Sequence, residues 1–201
     1  MSLQEPIIIE TGEQVLEKDY NQYDLEIVER ARFSLNVGCG GGKFETHCLG
    51  DINIDIAKPR QKQYKPFIQC DAHHLPFRDG VFVEVTMFDV LEHVDSPVIA
   101  LEEVKRVLAK NGFLILGTPN AMRILNTLFL LRHGFYIPHP DHISTWGRME
   151  LENLIRKIGF VWFKVFPYTY GDGHHSFLAK LFLYLPTADL TERQLVVIAR
   201  K

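Results

Sequence analysis

The stretch "SLNVGCGGGKF", residues 34–44, decides the fold that this sequence predicts. A short apolar run, typical of a buried strand, ends there in four glycines within five positions: Gly38, Gly40, Gly41 and Gly42. Each glycine adds backbone entropy that folding must remove, so the run indicates a backbone that something approaches closely. Lys43 stands where a dinucleotide-binding loop carries glycine or alanine. The loop therefore fits either a simple turn or a nucleotide-type site at the end of a first strand.

The rest of the chain alternates strand-like and helix-like patterns. Seven apolar runs have the length and composition of strands: "RFSLNVG", "DINIDI", "PFIQCD", "VFVEVTMFDV", "FLILGTPN", "FVWFKVFPY" and "RQLVVIAR". Helical spacing is found at residues 12–32, 96–112 and 148–160, and we expect the second helix to run from Ser96 to Asn111. This alternation predicts an α/β domain with a mainly parallel sheet covered on both faces.

Composition narrows the class of protein. The chain has 201 residues, 46% of them hydrophobic and 23% charged, which suits one domain with a sizeable core. A net charge of −3 gives no attraction to nucleic acid. The apolar stretches "ILNTLFLL" and "FLAKLFLYLP" are shorter than the ~20 residues of a membrane span. Three cysteines without a C-x-x-C pair, and no signal peptide, predict a cytoplasmic protein with reduced thiols.

Two aspartates follow the second and third strands in register with the glycine loop. Asp55 closes "DINIDI", where a carboxylate can accept hydrogen bonds from both hydroxyls of a ribose. Asp71 closes the third strand, where it can accept one from an exocyclic amine. Each of them alone would be an ordinary turn residue. Because the carboxyl ends of parallel strands meet at one edge, the three together predict a single nucleotide-binding crevice.

With these segments in place, the chain resembles the class I S-adenosylmethionine-dependent methyltransferases, and among them the type 11 methyltransferase domain. The resemblance rests on "LNVGCGGG", "NIDI", "CDAHHLPFRDGVF", "VLEHV", "ALEEVKRVLAKNGFLILGTPN" and "HISTW", in the family's order. It implies one Rossmann-like domain over residues 1–201, with an N-terminal helical segment at 1–33 and a lid or acceptor segment at 119–147. It also implies methyl transfer from S-adenosyl-L-methionine to a small-molecule, glycan or lipid-type acceptor.

The resemblance also implies a role for each residue of the crevice. Gly38, Cys39 and Gly40 would pass along the methionine part of the cofactor, Asp55 with Ile56 would hold the ribose, Asp71 with Ala72 the adenine, and Phe88 with Asp89 would line the methionine side. The sulfonium methyl is already activated, so the protein mainly aligns the acceptor in line and excludes water.

The acceptor side offers one candidate catalytic residue. A hydroxyl acceptor needs its proton removed, and histidine is the usual base. His142 lies in "GFYIPHPDHISTW", after the fifth strand, and aligns with a histidine of the family. Two roles are open for His142: general base, or packing and capping of the next helix.

A metal site is the alternative to a metal-free mechanism. Asp89, Glu92 and His93 stand at i, i+3 and i+4, so a helical turn would place them on one face, and His142 could join them around a divalent ion. The pattern is similar to ubiquinone-pathway O-methyltransferases and to small-RNA terminal 2′-O-methyltransferases, which use a metal. The "LEH" element also occurs widely in type 11 domains that hold none, so both interpretations stay open.

The apolar segments outside the cofactor half, "ILNTLFLLRHGFYIP" and "HHSFLAKLFLYLP", predict lid helices, a homodimer contact or an apolar wall for the acceptor. Two rival functions remain. One is a cofactor-binding module without catalysis, and the other is a nicotinamide dehydrogenase, which Lys43 and the lack of an evident hydride-handling acid or base disfavour.

Overall fold

The computed structural model describes residues 33–40, 50–58, 66–133, 141–168 and 193–201. The predicted helix at 12–32, the rest of the N-terminal segment and "HHSFLAKLFLYLP" lie outside the described residues. Within them the chain forms seven strands: β1 Phe33–Val37, β2 Ile52–Asp55, β3 Phe67–Gln69, β4 Phe82–Phe88, β5 Leu108–Pro119, β6 Trp162–Tyr168 and β7 Gln194–Arg200. Three helices accompany them: α1 Pro97–Val107, α2 Ile124–His133 and α3 Arg148–Ile158.

The strands form one sheet in the order β3-β2-β1-β4-β5-β7-β6. The first five strands pair in parallel, and β7 pairs antiparallel with both β5 and β6. The prediction of a seven-stranded, mostly parallel sheet is thereby confirmed. The strand order reverses beside β1, between β1 and β4, and this is the switch point at which open α/β sheets bind ligands.

Both faces of the central strands are covered. Successive residues of a strand point to opposite faces. In β1 the run from Leu35 to Val37 is buried throughout, and so is the run from Val85 to Met87 in β4. The inward stripes of α1 and α3 add fully buried side chains such as Leu101 and Ile155. The polar residues in the middle of the two runs are buried as well, and they bond to each other, with Thr86 Oγ1 donating to Asn36 Oδ1 at 3.0 Å.

One predicted boundary is wrong. The helix expected to reach Asn111 ends at Val107, and the next four residues belong to β5. Leu108 is extended, with φ −67° and ψ 135°, and it pairs with Phe82 of β4. Asn111 adopts a left-handed φ of 65°, so the Asn-Gly pair forms an irregularity inside the strand instead of a helix end. The pairing with Phe82 is a nonlocal contact that helical spacing does not reveal.

The predicted lid segment is described in part. β5 ends at Pro119, α2 follows, and Asn120 forms a bridge with Trp146 that closes the segment at its base. The described helices have ten or eleven residues, about half of the ~20 that a bilayer crossing requires.

Candidate functional site

A crevice of about 340 Å³ opens at the carboxyl ends of β1 to β4. Seven of the nine residues predicted to bind a cofactor line it: Gly38, Gly40, Asp55, Ile56, Asp71, Ala72 and Asp89. The other two do not. Cys39 is buried at 1% exposure beneath the loop. The ring of Phe88 lies against Gly117, where a side chain would collide with it. The structure thus brings the loop and the strand-end carboxylates to one crevice, whereas Cys39 and Phe88 pack inward.

Two glycines of the loop are required for different reasons. Gly38 has a φ of +72°, and a Cβ there would collide with the side chain of Val90. Gly40 has a φ of +62°, and a Cβ there would meet nothing within 4 Å. At Gly38 the loop therefore packs against a side chain of the protein itself, that of Val90. At Gly40 the backbone faces open space that a ligand can enter.

Asp55 fixes the loop to the second strand. Its Oδ2 accepts a hydrogen bond from the Gly40 N–H at 2.8 Å, and its Oδ1 accepts one from the Ala57 N–H at 2.8 Å. Each carboxylate oxygen has a further lone pair. The side chain is therefore held in one orientation and can still accept from two ligand hydroxyls.

Asp71 at the end of β3 is held by its neighbour His73. Asp71 Oδ1 accepts from the His73 N–H at 2.9 Å and lies 2.6 Å from His73 Nδ1. The backbone hydrogen bond from His73, followed by its side chain, lowers the pKa of Asp71 below the usual value. Asp71 is thus a carboxylate, able to accept a hydrogen bond, at any pH near neutral.

Cys70 lines the same crevice beside these carboxylates. Burial, and then the negative charges of Asp71 and Asp55, raise its pKa to about 11. The thiol is therefore protonated at neutral pH, and it contributes packing rather than a thiolate.

Asp89 follows β4 with a left-handed φ of 52°. Its N–H donates to the Gly117 carbonyl at 2.9 Å, and its Oδ1 accepts from Gln194 Nε2 at 2.8 Å. Gln194 is a contact that the sequence analysis missed. In the sequence, Gln194 stands out only as a polar residue at the start of an apolar strand. It reaches Asp89 because antiparallel β7 begins at the edge of the sheet where β4 and β5 end.

His93 and His142 meet behind Asp89. Their rings are edge-to-face with centroids 4.7 Å apart. Residues 89–95 form two bends around a short turn at 91–93 and no helical turn, and Asp89 Oδ1 accepts its hydrogen bond from Gln194. The potential ligand atoms of Glu92, His93 and His142 lie within 4.8 Å of one another. Three of the four candidate ligands are thus brought together. His93 also lines the crevice, whereas His142 lines a second, smaller cavity with Glu92.

Glu92 is almost fully buried, with 1% of its surface exposed. Its Oε2 accepts from Thr118 Oγ1 at 3.1 Å, and its Oε1 is buried without a hydrogen-bond partner. Burial is the largest cause of the raised pKa of Glu92, and the charge of Asp89 adds to it. Nδ1 of His93 lies 2.9 Å from the Asp141 carbonyl, which can only accept, so Nδ1 is the donor of this bond.

Comparisons with known proteins agree with this geometry. Residues 35–116 match the model of a methyltransferase domain. The uncharacterized protein MJ0638 of Methanocaldococcus jannaschii is 33% identical over 125 residues, which cover 60% of this chain and 52% of that protein. This chain spans about half the length of the curated relatives it matches.

Two solved structures share the fold. A SAM-dependent methyltransferase from Archaeoglobus fulgidus superposes with a TM-score of 0.61 at 14% identity, covering 90% of both chains. A SAM-dependent methyltransferase from Thermotoga maritima, described as a possible histamine N-methyltransferase, superposes with a TM-score of 0.59 at 23% identity, covering 89% of this chain and 87% of that one. At these identities the likeness establishes the Rossmann-like architecture alone.

Proposed function

We propose that the chain is a class I S-adenosylmethionine-dependent methyltransferase, which transfers a methyl group from S-adenosyl-L-methionine to a small-molecule, glycan or lipid-type acceptor. The match of residues 35–116 to the model of a methyltransferase domain supports the proposal. The observation that carries the proposal is the crevice, where the loop at Gly40, Asp55 and Asp71 line one cavity at the switch point of the sheet. When bound, the cofactor supplies an electrophilic methyl group on sulfur. The chain's task is then to hold donor and acceptor in line and to exclude water.

The residues present fit this cofactor. The open space at Gly40 suits the methionine part. Asp55, held by two backbone N–H groups, retains lone pairs for the ribose hydroxyls. Asp71 is an acceptor for the adenine amine, and Ile56 with Ala72 offers apolar contact to the ring. Asp89 lies on the methionine side, where its charge favours the amino group of the cofactor.

Calorimetric titration with S-adenosylhomocysteine tests the placement. Asp55→Ala should weaken binding by about 2–4 kcal/mol, because it removes two charge-assisted hydrogen bonds. Asp51→Ala is the matched control, since Asp51 lies just before β2, outside the crevice, and accepts hydrogen bonds from Ser34. Equal affinity of the Asp55 variant and the parent would contradict the placement. Tight binding of NAD would favour a dehydrogenase.

On the acceptor side we propose His142 as the general base. It lies beside Thr118, at the end of β5, and in ring contact with His93, which lines the cofactor crevice. Product formation in a screen of hydroxyl, amine and carboxylate acceptors separates this enzyme from a binding module without catalysis.

A second candidate is a metal-dependent O-methyltransferase. Glu92, His93 and His142 would supply the ligands, and the cavity beside Glu92 and His142, about 10 Å³, has room for one ion or water molecule. The bond of His93 Nδ1 to a carbonyl is the arrangement that fixes a metal-binding imidazole. The unpartnered Oε1 of Glu92 favours this candidate.

The two candidates differ in what chelation does. Under the metal mechanism, a chelator abolishes turnover, Mg²⁺ or Mn²⁺ restores it, and Mn²⁺ binding measured by calorimetry is lost in Glu92→Gln. Under the base mechanism, which we expect, turnover survives chelation. S-adenosylhomocysteine affinity cannot decide between them, because the ion would contact the acceptor.

A further inference from the structure

His73 joins the end of β3 to the start of α1 through both nitrogens of its ring. Nδ1 lies 2.6 Å from Asp71 Oδ1, and Nε2 accepts a hydrogen bond from the Ser96 N–H at 3.1 Å. The side chain is 15% exposed and lines the crevice. Ser96 is the residue immediately before α1. The imidazole therefore bridges two elements that border the candidate adenine pocket.

These partners determine the protonation of the ring. A backbone N–H can only donate, so Nε2 must carry the lone pair. Nδ1 then carries the hydrogen and donates it to the carboxylate of Asp71. A 180° rotation of the ring would put C–H groups in the places of both nitrogens, and both hydrogen bonds would be lost. The imidazole is thus neutral and has one orientation.

This arrangement leaves one oxygen of Asp71 for a ligand. The His73 backbone and ring both donate to Oδ1, and none of the hydrogen bonds described for Asp71 involves Oδ2. The Asp71 side chain is 47% exposed and lines the crevice. A carboxylate with one oxygen fixed in this way presents the other in a constant direction.

We propose that His73 is a positioning residue that fixes Asp71 Oδ2 to accept the 6-amino group of adenine, and so sets selectivity for 6-amino over 6-oxo purines. The inference rests on the proposed function, which places adenine at Asp71. A 6-oxo purine would direct an acceptor oxygen at the carboxylate and lose the hydrogen bond. A carboxylate free to rotate could turn away from that oxygen and would discriminate less.

The test is calorimetric titration with S-adenosylhomocysteine and with S-inosylhomocysteine, its 6-oxo analogue. A hydrogen bond to a charged group corresponds to a preference of about 10- to 100-fold for the adenine compound in the parent protein. His73→Phe should lower that ratio about 5- to 10-fold. His73→Asn keeps a side-chain donor at the place of Nδ1 and should retain most of the ratio. His74→Phe is the matched control, because His74 is exposed and its side chain makes no described bond to Asp71.

The outcomes separate this inference from the proposed function. If Asp71→Ala keeps the full preference for adenine, the placement of adenine at Asp71 is wrong, and the inference fails with it. If Asp71→Ala loses the preference and His73→Phe keeps it, only the positioning role is overturned. Equal losses in the Phe and Asn variants would also overturn it, because the bond to Asp71 would not be the cause.

A second measurement reports the protonation of the His73 ring in the parent protein itself. Long-range ¹H–¹⁵N spectra of the parent protein with bound S-adenosylhomocysteine report the tautomer of each histidine, and His73→Asn assigns the His73 signals. We expect the Nδ1–H tautomer at neutral pH. An Nε2–H tautomer or an imidazolium would overturn the inference.

Discussion

Gln194, the first residue of β7, donates a hydrogen bond from Nε2 to Asp89 Oδ1 at 2.8 Å across 105 positions of chain. Gln194 is 8% exposed, and Asp89 has a left-handed backbone. The antiparallel strand at the far end of the sequence therefore helps to orient a carboxylate at the carboxyl end of β4. This bond links the C-terminal strand to the methionine side of the proposed cofactor site.

We expect Gln194→Glu to weaken S-adenosylhomocysteine binding by on the order of 10-fold, because two carboxylates would then repel each other at a partly buried contact and Asp89 would lose its orientation. Gln194→Met removes the donor without adding charge, so its effect should be smaller. Calorimetric titration measures both, with thermal unfolding as a check on folding. Parent-like affinity in a folded Gln194→Glu protein would contradict this role.

The positions of the crevice carboxylates could be predicted from the sequence because they follow from one rule of sheet geometry. In a parallel sheet the carboxyl ends of neighbouring strands meet, so Asp55 and Asp71 were placed by the ends of their own strands. Gln194 could not be found in this way. Its position depends on β7 pairing with β5 in reverse, and no spacing near Asp89 reports that pairing.

Packing and backbone conformation caused the remaining differences. Phe88 belongs to the strand end that the sequence indicates, but its ring fills the space above Gly117. The i, i+3, i+4 spacing from Asp89 to His93 suits a helix, yet the left-handed φ of Asp89 prevents one there. The start of β5 was missed because Leu108 pairs with Phe82, far away in sequence. The differences at Phe88 and Leu108 thus come from nonlocal contacts, and the one at Asp89 from its backbone conformation.

The contacts of Arg106 predict that its replacement lowers the free energy of unfolding. Its guanidinium binds both oxygens of Glu103, the carbonyls of Leu75 and Phe77, and Asp79. It thereby fastens the loop after β3 to α1. Arg106→Met should lower the free energy of unfolding by about 2–4 kcal/mol, because a bidentate pair and two carbonyl contacts are lost. Arg106→Lys should recover less than half, since an ammonium lacks the planar fork.

Urea denaturation measures these differences. Arg132→Met, on the exposed surface of α2, is the matched control and should stay within about 0.5 kcal/mol of the parent. A loss below 1 kcal/mol for Arg106→Met would show that the loop is held by other contacts.

The raised pKa of Cys70 predicts how the rate of its alkylation depends on pH. Only the thiolate reacts, and a pKa of about 11 leaves roughly a hundredth of the thiolate that an ordinary thiol with a pKa of 9.0 has at pH 8. Iodoacetamide labelling of the Cys70 peptide, followed by mass spectrometry, should be about 100-fold slower than in urea. The rate should rise about tenfold per pH unit between pH 8 and 10. A plateau below pH 9 would contradict the raised pKa.

The last prediction concerns His142 and separates catalysis from packing. As general base it would contribute about 10²–10⁴ to the rate, so His142→Ala and His142→Gln should lower kcat by that factor while S-adenosylhomocysteine affinity stays unchanged. The rate of the parent should rise with pH as the imidazole loses its proton, and this limb should vanish in both variants. His74→Ala, which changes an exposed histidine, should keep the parent's profile. Full kcat in folded His142 variants would mean that the imidazole only packs against His93, and the acceptor would then need no base, as a carboxylate or a neutral amine does.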